Sequence, residues 1–281
     1  MKKTLTMLLV FTLICLAFCA GCREEEEKPL SYTGEKSGLS YTLDGTVDPV
    51  YEGVTLVPKP LSEDTVATLR RELGVKEEDD FSVNEDEWAG LFSVYFSKQT
   101  GPDSDAPAEE SFISYSDMTE EKVAAKAAEF LSRAGITPEG EYTVMATPGD
   151  AQRYSVVRYC PTYKNVPVLY APRIEITFSS RQIETFTYSW AVAEQGGREY
   201  DPGEISSPEE AVRLFEAEME KRGRPPFSTA YEPAKRMRQV YWVLYDGSGE
   251  NRVVHPGWAF YRDSISEGDI PWVDAVTKMV S

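Results

Sequence analysis

Apolar residues recur with helical spacing in three segments of the chain, residues 62–74, 119–135 and 207–223. Each segment begins with a hydroxyl residue, continues with acidic residues and ends at a glycine. A hydroxyl side chain caps free backbone amides, acidic residues favour the helix dipole, and glycine closes the last turn. In the third segment, Pro208 takes the first helical position and Glu210 completes a capping box. The pattern predicts three amphipathic helices, each with one buried face.

Segments rich in β-branched and aromatic residues follow each helix and predict strands. They are residues 91–96 and 111–115, then 142–145, 154–160, 166–169, 173–178 and 183–190, and finally 240–245, 253–261 and 272–276. The turn residues 246–249, Asp-Gly-Ser-Gly, predict a hairpin between two of the last strands. The succession predicts an α+β fold of repeated helix-plus-antiparallel-meander modules, with each helix packed on one sheet face.

The first 22 residues have the pattern of an export signal. The basic pair Lys2-Lys3 precedes a run without charges over residues 5–20, and small residues stand directly before Cys22. A lipoprotein signal peptidase needs small residues there, so Cys22 is the predicted lipid-attachment residue and mature N-terminus. Cys19 stands where the bacterial lipobox prefers leucine. An ordinary secretory signal or an uncleaved anchor is the alternative, although the apolar run is shorter than the ~20 residues of a spanning helix.

The acidic, Ser- and Gly-containing segment after Cys22 predicts a flexible tether, because it offers little apolar surface to bury. Short strands around Tyr41 and Val54 are compatible with its sequence. The predicted organisation is a signal peptide at 1–21, a lipidated N-terminus and tether at 22–57, a degenerate first αβ module at 58–116, and further modules at 117–203 and 204–281.

The chain has 47 acidic and 29 basic residues and a formal net charge of −18. The negative electrostatic potential of such a chain repels nucleic acid and anionic lipid headgroups, so neither is an expected partner of the folded body. It favours cationic partners or simply maintains solubility. Apolar residues make up 41% of the chain and aromatic residues 12%, which indicates a folded core.

Few residues are candidates for catalysis or metal binding. Cys160 is the sole cysteine after Cys22, and its alternating surroundings favour a buried strand position over a redox or metal-binding thiol. His255 is the only histidine, which excludes histidine clusters, and no Gly-x-Ser-x-Gly elbow presents a serine. We therefore predict no catalytic, cofactor-binding or metal-binding residues.

Two other groups of residues are ambiguous. Carboxylates crowd residues 76–87, where calcium is one interpretation, but the spacing of an EF-hand is missing and a solvated acidic loop is favoured. Four tyrosines can form a stacking surface for peptide or glycan, but the preference of tyrosine for strands is the favoured interpretation. They are Tyr154, Tyr159, Tyr163 and Tyr170.

The third unit resembles PepSY-type modules, which are similar to extracytoplasmic regulatory proteins of the YycI type. The resemblance rests on Ser-Pro-Glu-Glu-Ala-Val at 207–212, Trp-Ala-Phe-Tyr at 258–261 and Trp-Val-Asp-Ala-Val-Thr at 272–277. Lys278 stands where the family often has glycine. The second unit resembles the same pattern at 165–168 and 174–178, and the first only in its helix opening.

The resemblance covers mainly residues 117–281 and implies a binding or regulatory module. Such modules are associated with inhibition of proteases and with control of membrane signalling proteins, and their pattern contains no catalytic residues. Asp274 and Thr277 are expected to be structural residues of the last strand and turn.

The sequence thus predicts an extracytoplasmic lipoprotein anchored to a bacterial membrane, without catalysis or cofactors. It is expected to bind and regulate a protein or peptide partner, either a protease or a membrane signalling protein. Strand edges between the modules can accept an extended peptide. The alternative is an envelope hydrolase or a carbohydrate-binding accessory protein, whose acidic pair the sequence does not identify.

Overall fold

The computed structural model describes residues 30–44, 50, 52–85, 92–99, 118–149, 154–169, 172–179, 182–196, 198–201, 203–221, 236–245, 252–261 and 272–274. The chain divides into Met1–Leu30 and Ser31–Ser281, and all described helices and strands belong to the second unit. The predicted signal peptide, Cys22, the strand at 111–115, Gly223 and the turn at 246–249 lie outside the described residues. No helix in the ranges given above is long and apolar enough to cross a bilayer.

All three predicted helices are present: α1 at Glu63–Glu72, α2 at Glu120–Arg133 and α3 at Pro208–Lys221. Each helix begins directly after the hydroxyl residue that was predicted to cap it. The Ser62 side chain accepts from Thr65 N at 3.2 Å. The same arrangement recurs at the other two helices, where Thr119 accepts from Lys122 N at 3.3 Å and Ser207 from Glu210 N at 3.2 Å.

The predicted glycine closures of the first two helices are also confirmed. Gly74 follows α1 with a φ of 60°, and Gly135 follows α2 with a φ of 71°. This left-handed conformation lets amides beyond the helix reach its last carbonyls, and Ile136 N accordingly donates to Leu131 O at 2.8 Å.

The described strands agree with most of the predicted ones. They are β1 (Ser31–Thr33), β2 (Ser40–Leu43), β3 (Val54–Pro58), β4 (Asp80–Glu85), β5 (Phe92–Ser97), β6 (Tyr142–Thr147), β7 (Ser155–Tyr163), β8 (Val166–Leu169), β9 (Arg173–Phe178), β10 (Ile183–Ser189), β11 (Ala191–Gln195), β12 (Arg236–Tyr245), β13 (Arg252–Tyr261) and β14 (Trp272–Asp274).

The strands form a large, mostly antiparallel sheet and a small one. The large sheet runs β1-β2-β12-β8-β7-β9-β10-β5-β4, with β6 on β7 and β13 and β14 continuing from β12. The pairs of β12 with β2 and with β8 are parallel. β3 and β11 form the small sheet. The protein is therefore a mixed α/β fold with three described helices, which confirms the coarse part of the predicted fold class.

Two cores lie under the helices. α1 and α2 cover the part of the sheet that contains β5, β7, β9 and β10, with Leu69 and Phe130 packed among the buried strand residues. α3 covers β2, β12 and β13 in a separate core, where the Phe215 and Phe260 rings stack at 4.2 Å. α1 and α2 share one core, and the strands under all three helices belong to the one large sheet. The module boundaries and their repetition stay predictions.

Part of the segment predicted as a tether is folded. Residues 31–43 and 54–58 contribute β1, β2 and β3, which include the short strands allowed around Tyr41 and Val54. Tyr41 is completely buried against α3, and its ring contacts Phe260 edge-on at 5.6 Å. A flexible tether is therefore wrong for these residues, because the aromatic side chain finds a core that the local sequence does not reveal.

The predicted acidic loop at 76–87 also needs correction, since residues 80–85 form β4. Phe81 packs against the core, and the Arg70 guanidinium lies 5.1 Å from the centre of its ring. The Asp79 carboxylate is nearly buried and accepts from the backbone amides of Lys76 at 3.0 Å and Gln99 at 3.3 Å. One of the predicted loop carboxylates thus holds backbone amides in place.

Candidate functional site

The most distinctive surface feature is the outer edge of β6. This strand pairs with β7 over its whole length, from Tyr142 opposite Pro161 to Thr147 opposite Val156. Among the described strands it has no partner on its other side. In an antiparallel pair, alternate residues direct both backbone groups away from the partner. The edge therefore offers a regular row of donors and acceptors to another extended chain.

The six residues of β6, Tyr-Thr-Val-Met-Ala-Thr, carry no charge. The strand at one end of the sheet, β4, differs, because it begins with Asp80 and ends with Glu85. Charges on an edge strand discourage pairing with other chains. β6 lacks this protection although 27% of the residues in the chain are charged. The edge of β6 is therefore better suited than the edge of β4 to pair with another extended chain.

Apolar side chains flank the β6 edge on the side covered by α2. Tyr142 is 43% exposed and Val144 is 39% exposed. Val144 lies opposite the buried Tyr159, so it projects to the helix-covered face. On the other face, Met145 packs against a small core that includes Tyr261. Both faces of the strand are packed, while its outer edge pairs with none of the described strands.

An aromatic cluster supports the beginning of β6. The Tyr142 ring lies 5.9 Å from that of Tyr159 and 6.1 Å from that of Trp190. Trp190 Nε1 donates to Glu139 O at 3.2 Å, which fixes the residues before the strand. Burial, and secondarily the neighbouring Tyr142, raises the pKa of Tyr159 to about 12. The packed rings of Tyr142, Tyr159 and Trp190 provide an apolar base for the start of the strand.

Gly140 makes the turn into β6 possible. Its φ is +78°, and a Cβ at this position would lie 2.8 Å from Val192 Cγ1. Only glycine combines the left-handed conformation with so close an approach. Lys59 Nζ forms an ion pair with Glu139 Oε2 at 2.9 Å beside this turn. The edge is thus preorganised, which lowers the entropic cost of adding a strand.

The residues singled out in the sequence do not come together at this edge. Cys22 lies outside the described residues, and His255 lies in β13 opposite Trp242. Cys160 is 2% exposed in β7, which confirms its predicted buried strand position. Within the described ranges, no group of three or more His, Cys, Asp or Glu residues is arranged to hold a metal ion.

The predicted tyrosine surface is not formed by the described tyrosines. Tyr154 is exposed, whereas Tyr159 is buried under the helices. Tyr163 instead packs against Tyr241, with ring centres 6.2 Å apart. Tyr170 lies outside the described residues. The β6 edge was not identified from the sequence. The feature of the sequence that could have indicated it is the uncharged run of six strand-forming residues at Tyr142–Thr147.

Comparisons with known proteins give two remote structural similarities. A crystal structure of an uncharacterized protein from Eubacterium rectale is 13% identical, with a TM-score of 0.44, covering 86% of this chain and 90% of that chain. The C-terminal domain of YpeB from Bacillus megaterium is 14% identical, with a TM-score of 0.32, covering 80% of this chain and 98% of that chain. No family model and no curated protein matches the sequence. The resemblance to PepSY-type modules therefore stays a prediction.

Proposed function

We propose that this protein is a non-catalytic binding module, anchored outside the cytoplasm through lipid on Cys22, that regulates a protein or peptide partner. The partner places an extended segment along the edge of β6. The observation that carries this proposal is the uncharged and preorganised outer edge of β6, which no other described strand pairs with. Its class of partner, a protease or a membrane signalling protein, follows from the sequence resemblance to PepSY-type modules.

The added strand gains affinity from backbone hydrogen bonds and specificity from alternate side chains. Half of its side chains face the apolar surface of Tyr142 and Val144, so apolar residues at alternate positions are favoured there. The net charge of −18 attracts segments with basic residues around this apolar part. The preferred ligand is therefore an extended, alternating apolar peptide with basic flanks.

Backbone N-methylation gives a sharp test of strand addition. A peptide library of this pattern is screened for binding to the mature chain, and the best peptide is methylated at successive amides. Methylation at alternate positions removes donors that face β6 and is expected to abolish binding. Methylation shifted by one residue faces solvent and leaves binding intact. Equal losses at all positions would contradict strand addition.

A matched pair of variants tests the location of the site. Val144→Lys places a charge on the β6 edge and is expected to weaken the peptide at least about ten-fold, a loss of about 1.4 kcal/mol. Val83→Lys is the control, because Val83 has a similar exposure of 43% on the edge strand β4. Equal effects of the two variants would place the peptide elsewhere.

Anchoring and catalysis are tested separately. Cys22→Ala is expected to release the body from membranes or to leave its precursor unprocessed. If the variant is processed and still fractionates with membranes, the lipid attachment is wrong. Incubation with peptide and cell-wall substrates tests the alternative of an envelope hydrolase. Turnover that is abolished by changing one carboxylate pair would overturn the non-catalytic proposal.

A further inference from the structure

The face of the large sheet opposite α1 and α2 carries a patch of hydroxyl side chains on its central strands. We call it the hydroxyl face, and it consists of Tyr95, Ser97, Thr177, Thr185 and Thr187. Strand pairing sets them side by side: Tyr95 lies opposite Thr187, Ser97 opposite Thr185, and Thr185 opposite Thr177. Three adjacent strands, β5, β10 and β9, thus present two neighbouring rows, one of Ser97, Thr185 and Thr177 and one of Tyr95 and Thr187.

The alternation of buried residues fixes the direction of these side chains. Val94 and Phe96 flank Tyr95 along β5 and are completely buried in the core under the helices. In β10, Phe186 between the two threonines is buried in the same way. Because successive residues of a strand face opposite sides, the hydroxyl face points away from the helices.

The hydroxyl groups of this face are available for a ligand. Those of Ser97, Thr177, Thr185 and Thr187 have no hydrogen-bond partner within the part of the chain that the structure describes. All four residues are partly exposed, and the Tyr95 ring is 43% exposed. A hydroxyl group both donates and accepts, so each of them can pair with either function of a ligand.

Charged residues of both signs border the face. Asp80 lies opposite Ser97, and Glu175 lies opposite Thr187, with its Oε2 2.6 Å from Arg158 Nε and 3.5 Å from Arg173 Nε. The face itself consists of hydroxyl residues, so its chemistry suits a hydroxyl-rich ligand. The net charge of −18 disfavours polyanions.

We propose that the hydroxyl face binds a neutral glycan chain. The exposed Tyr95 ring stacks on the apolar face of one sugar, and the serine and threonine hydroxyls pair with the hydroxyls of adjacent sugars. Neighbouring strands repeat these groups at about 4.8 Å, so a polymer meets several of them at once. This site is independent of the β6 edge, because it lies on a sheet face and uses no backbone groups.

Titration calorimetry of the mature chain with neutral oligosaccharides tests the proposal. The probes are β-linked glucose oligomers and N-acetylglucosamine oligomers, and polygalacturonate serves as the anionic probe. Binding of a neutral oligomer that strengthens with its length is expected, with weaker binding of polygalacturonate. No binding of either neutral series at millimolar concentration, or tighter binding of the polyanion, would overturn the proposal.

Variants locate the glycan site. Tyr95→Ala is expected to weaken binding about ten-fold, whereas Tyr95→Phe retains the ring and binds like the original chain. Replacing Thr185 and Thr187 by valine keeps strand-forming side chains, removes two hydroxyls and is expected to weaken binding several-fold. Val83→Ala is the control, because Val83 is equally exposed (43%) on the helix-covered face of the sheet. Loss of glycan binding with Val83→Ala but not with Tyr95→Ala would contradict the site.

The peptide and glycan assays fail independently. A chain that binds the methylation-sensitive peptide but no neutral oligosaccharide refutes the glycan site alone. A chain that binds oligosaccharides through Tyr95 but no extended peptide refutes strand addition at β6 alone.

Discussion

The carboxylate of Glu216 accepts a hydrogen bond from the Tyr41 hydroxyl, with 3.3 Å between Oε1 and Oη, inside the core under α3. Glu216 is only 2% exposed. It also accepts from Lys36 N at 3.2 Å and from the Ser37 hydroxyl in the turn between β1 and β2. A buried carboxylate thus fastens the first described hairpin to the third helix. Burial, and then the charge of Glu216, raises the pKa of Tyr41.

Glu216→Gln is expected to reduce the free energy of unfolding by about 1–3 kcal/mol, because the neutral amide gives weaker hydrogen bonds to these donors. Chemical denaturation measures the change. Glu220→Gln is the matched control on the same helix, since Glu220 pairs with Lys36 in an exposed ion pair. Its effect should be less than about 1 kcal/mol. Equal effects would mean that Glu216 is not a structural anchor.

Gly140→Ala is expected to destabilise the protein by about 2–4 kcal/mol, because a left-handed backbone and a side-chain clash act together. The clash is with Val192 Cγ1, 2.8 Å from the added Cβ. Gly74→Ala separates the two effects: its φ is +60° and nothing lies within 4 Å of an added Cβ. It should cost about 1–2 kcal/mol. Thermal or urea unfolding of both variants gives the comparison, and a smaller loss at Gly140 would contradict the close packing.

The protein should lose stability as the pH rises above 10. Burial is the largest cause that raises the pKa of five tyrosines: Tyr41, Tyr159, Tyr188, Tyr241 and Tyr261. Above pH ~10 the unfolded chain loses these protons while the folded chain retains them. The unfolded state then binds fewer protons, so the free energy of unfolding falls with pH, by up to about 1.4 kcal/mol per unit for each group.

Tyrosinate absorbance measured beside circular dichroism checks this expectation. These five tyrosines should ionise together with unfolding. For Tyr159, whose pKa is about 12, the stabilising contribution is complete below pH 10 and is lost between about 10 and 12. Full ionisation of all tyrosines in the folded protein would contradict their burial.

The Cys160 thiol should be protected from reagents in the folded protein. It is 2% exposed in β7, and reaction therefore requires opening of the sheet. In a chain that lacks residues 1–22, Cys160 is the sole cysteine, so disulfide exchange with a chromogenic reagent reports on it alone. Labelling is expected to be slow in buffer and fast in denaturant. Rapid labelling in buffer would indicate an accessible, functional thiol.

Local sequence predicted the parts of this fold that local chemistry controls. The caps at Ser62, Thr119 and Ser207 and the closing glycines at 74 and 135 all behave as predicted. These features depend on hydrogen bonds within a few residues, so a short window contains the necessary information. The alternation of apolar and polar residues likewise identified most strands, because each strand has one buried face.

Features that depend on distant partners were missed or mistaken. β4 was predicted as a loop because its acidic residues conceal Phe81, which is buried by contact with the core. The segment with Tyr41 was predicted as a tether, since its partner Glu216 lies 175 residues further along the chain. β11 was not predicted, and it pairs with β3 through Ala191 opposite Pro58.

The sequence alone determined where three helices begin, where the first two end, an α+β composition and a strongly acidic chain, because these follow from nearest neighbours and from counting residues. Only the tertiary structure decided that the first two helices share one core and that β6 and β4 form unequal edges of the large sheet. It also decided that five hydroxyl residues lie close together on the face opposite those two helices. Strand order and burial arise from contacts between residues far apart in the chain, and no local pattern records which strand will be left at an edge.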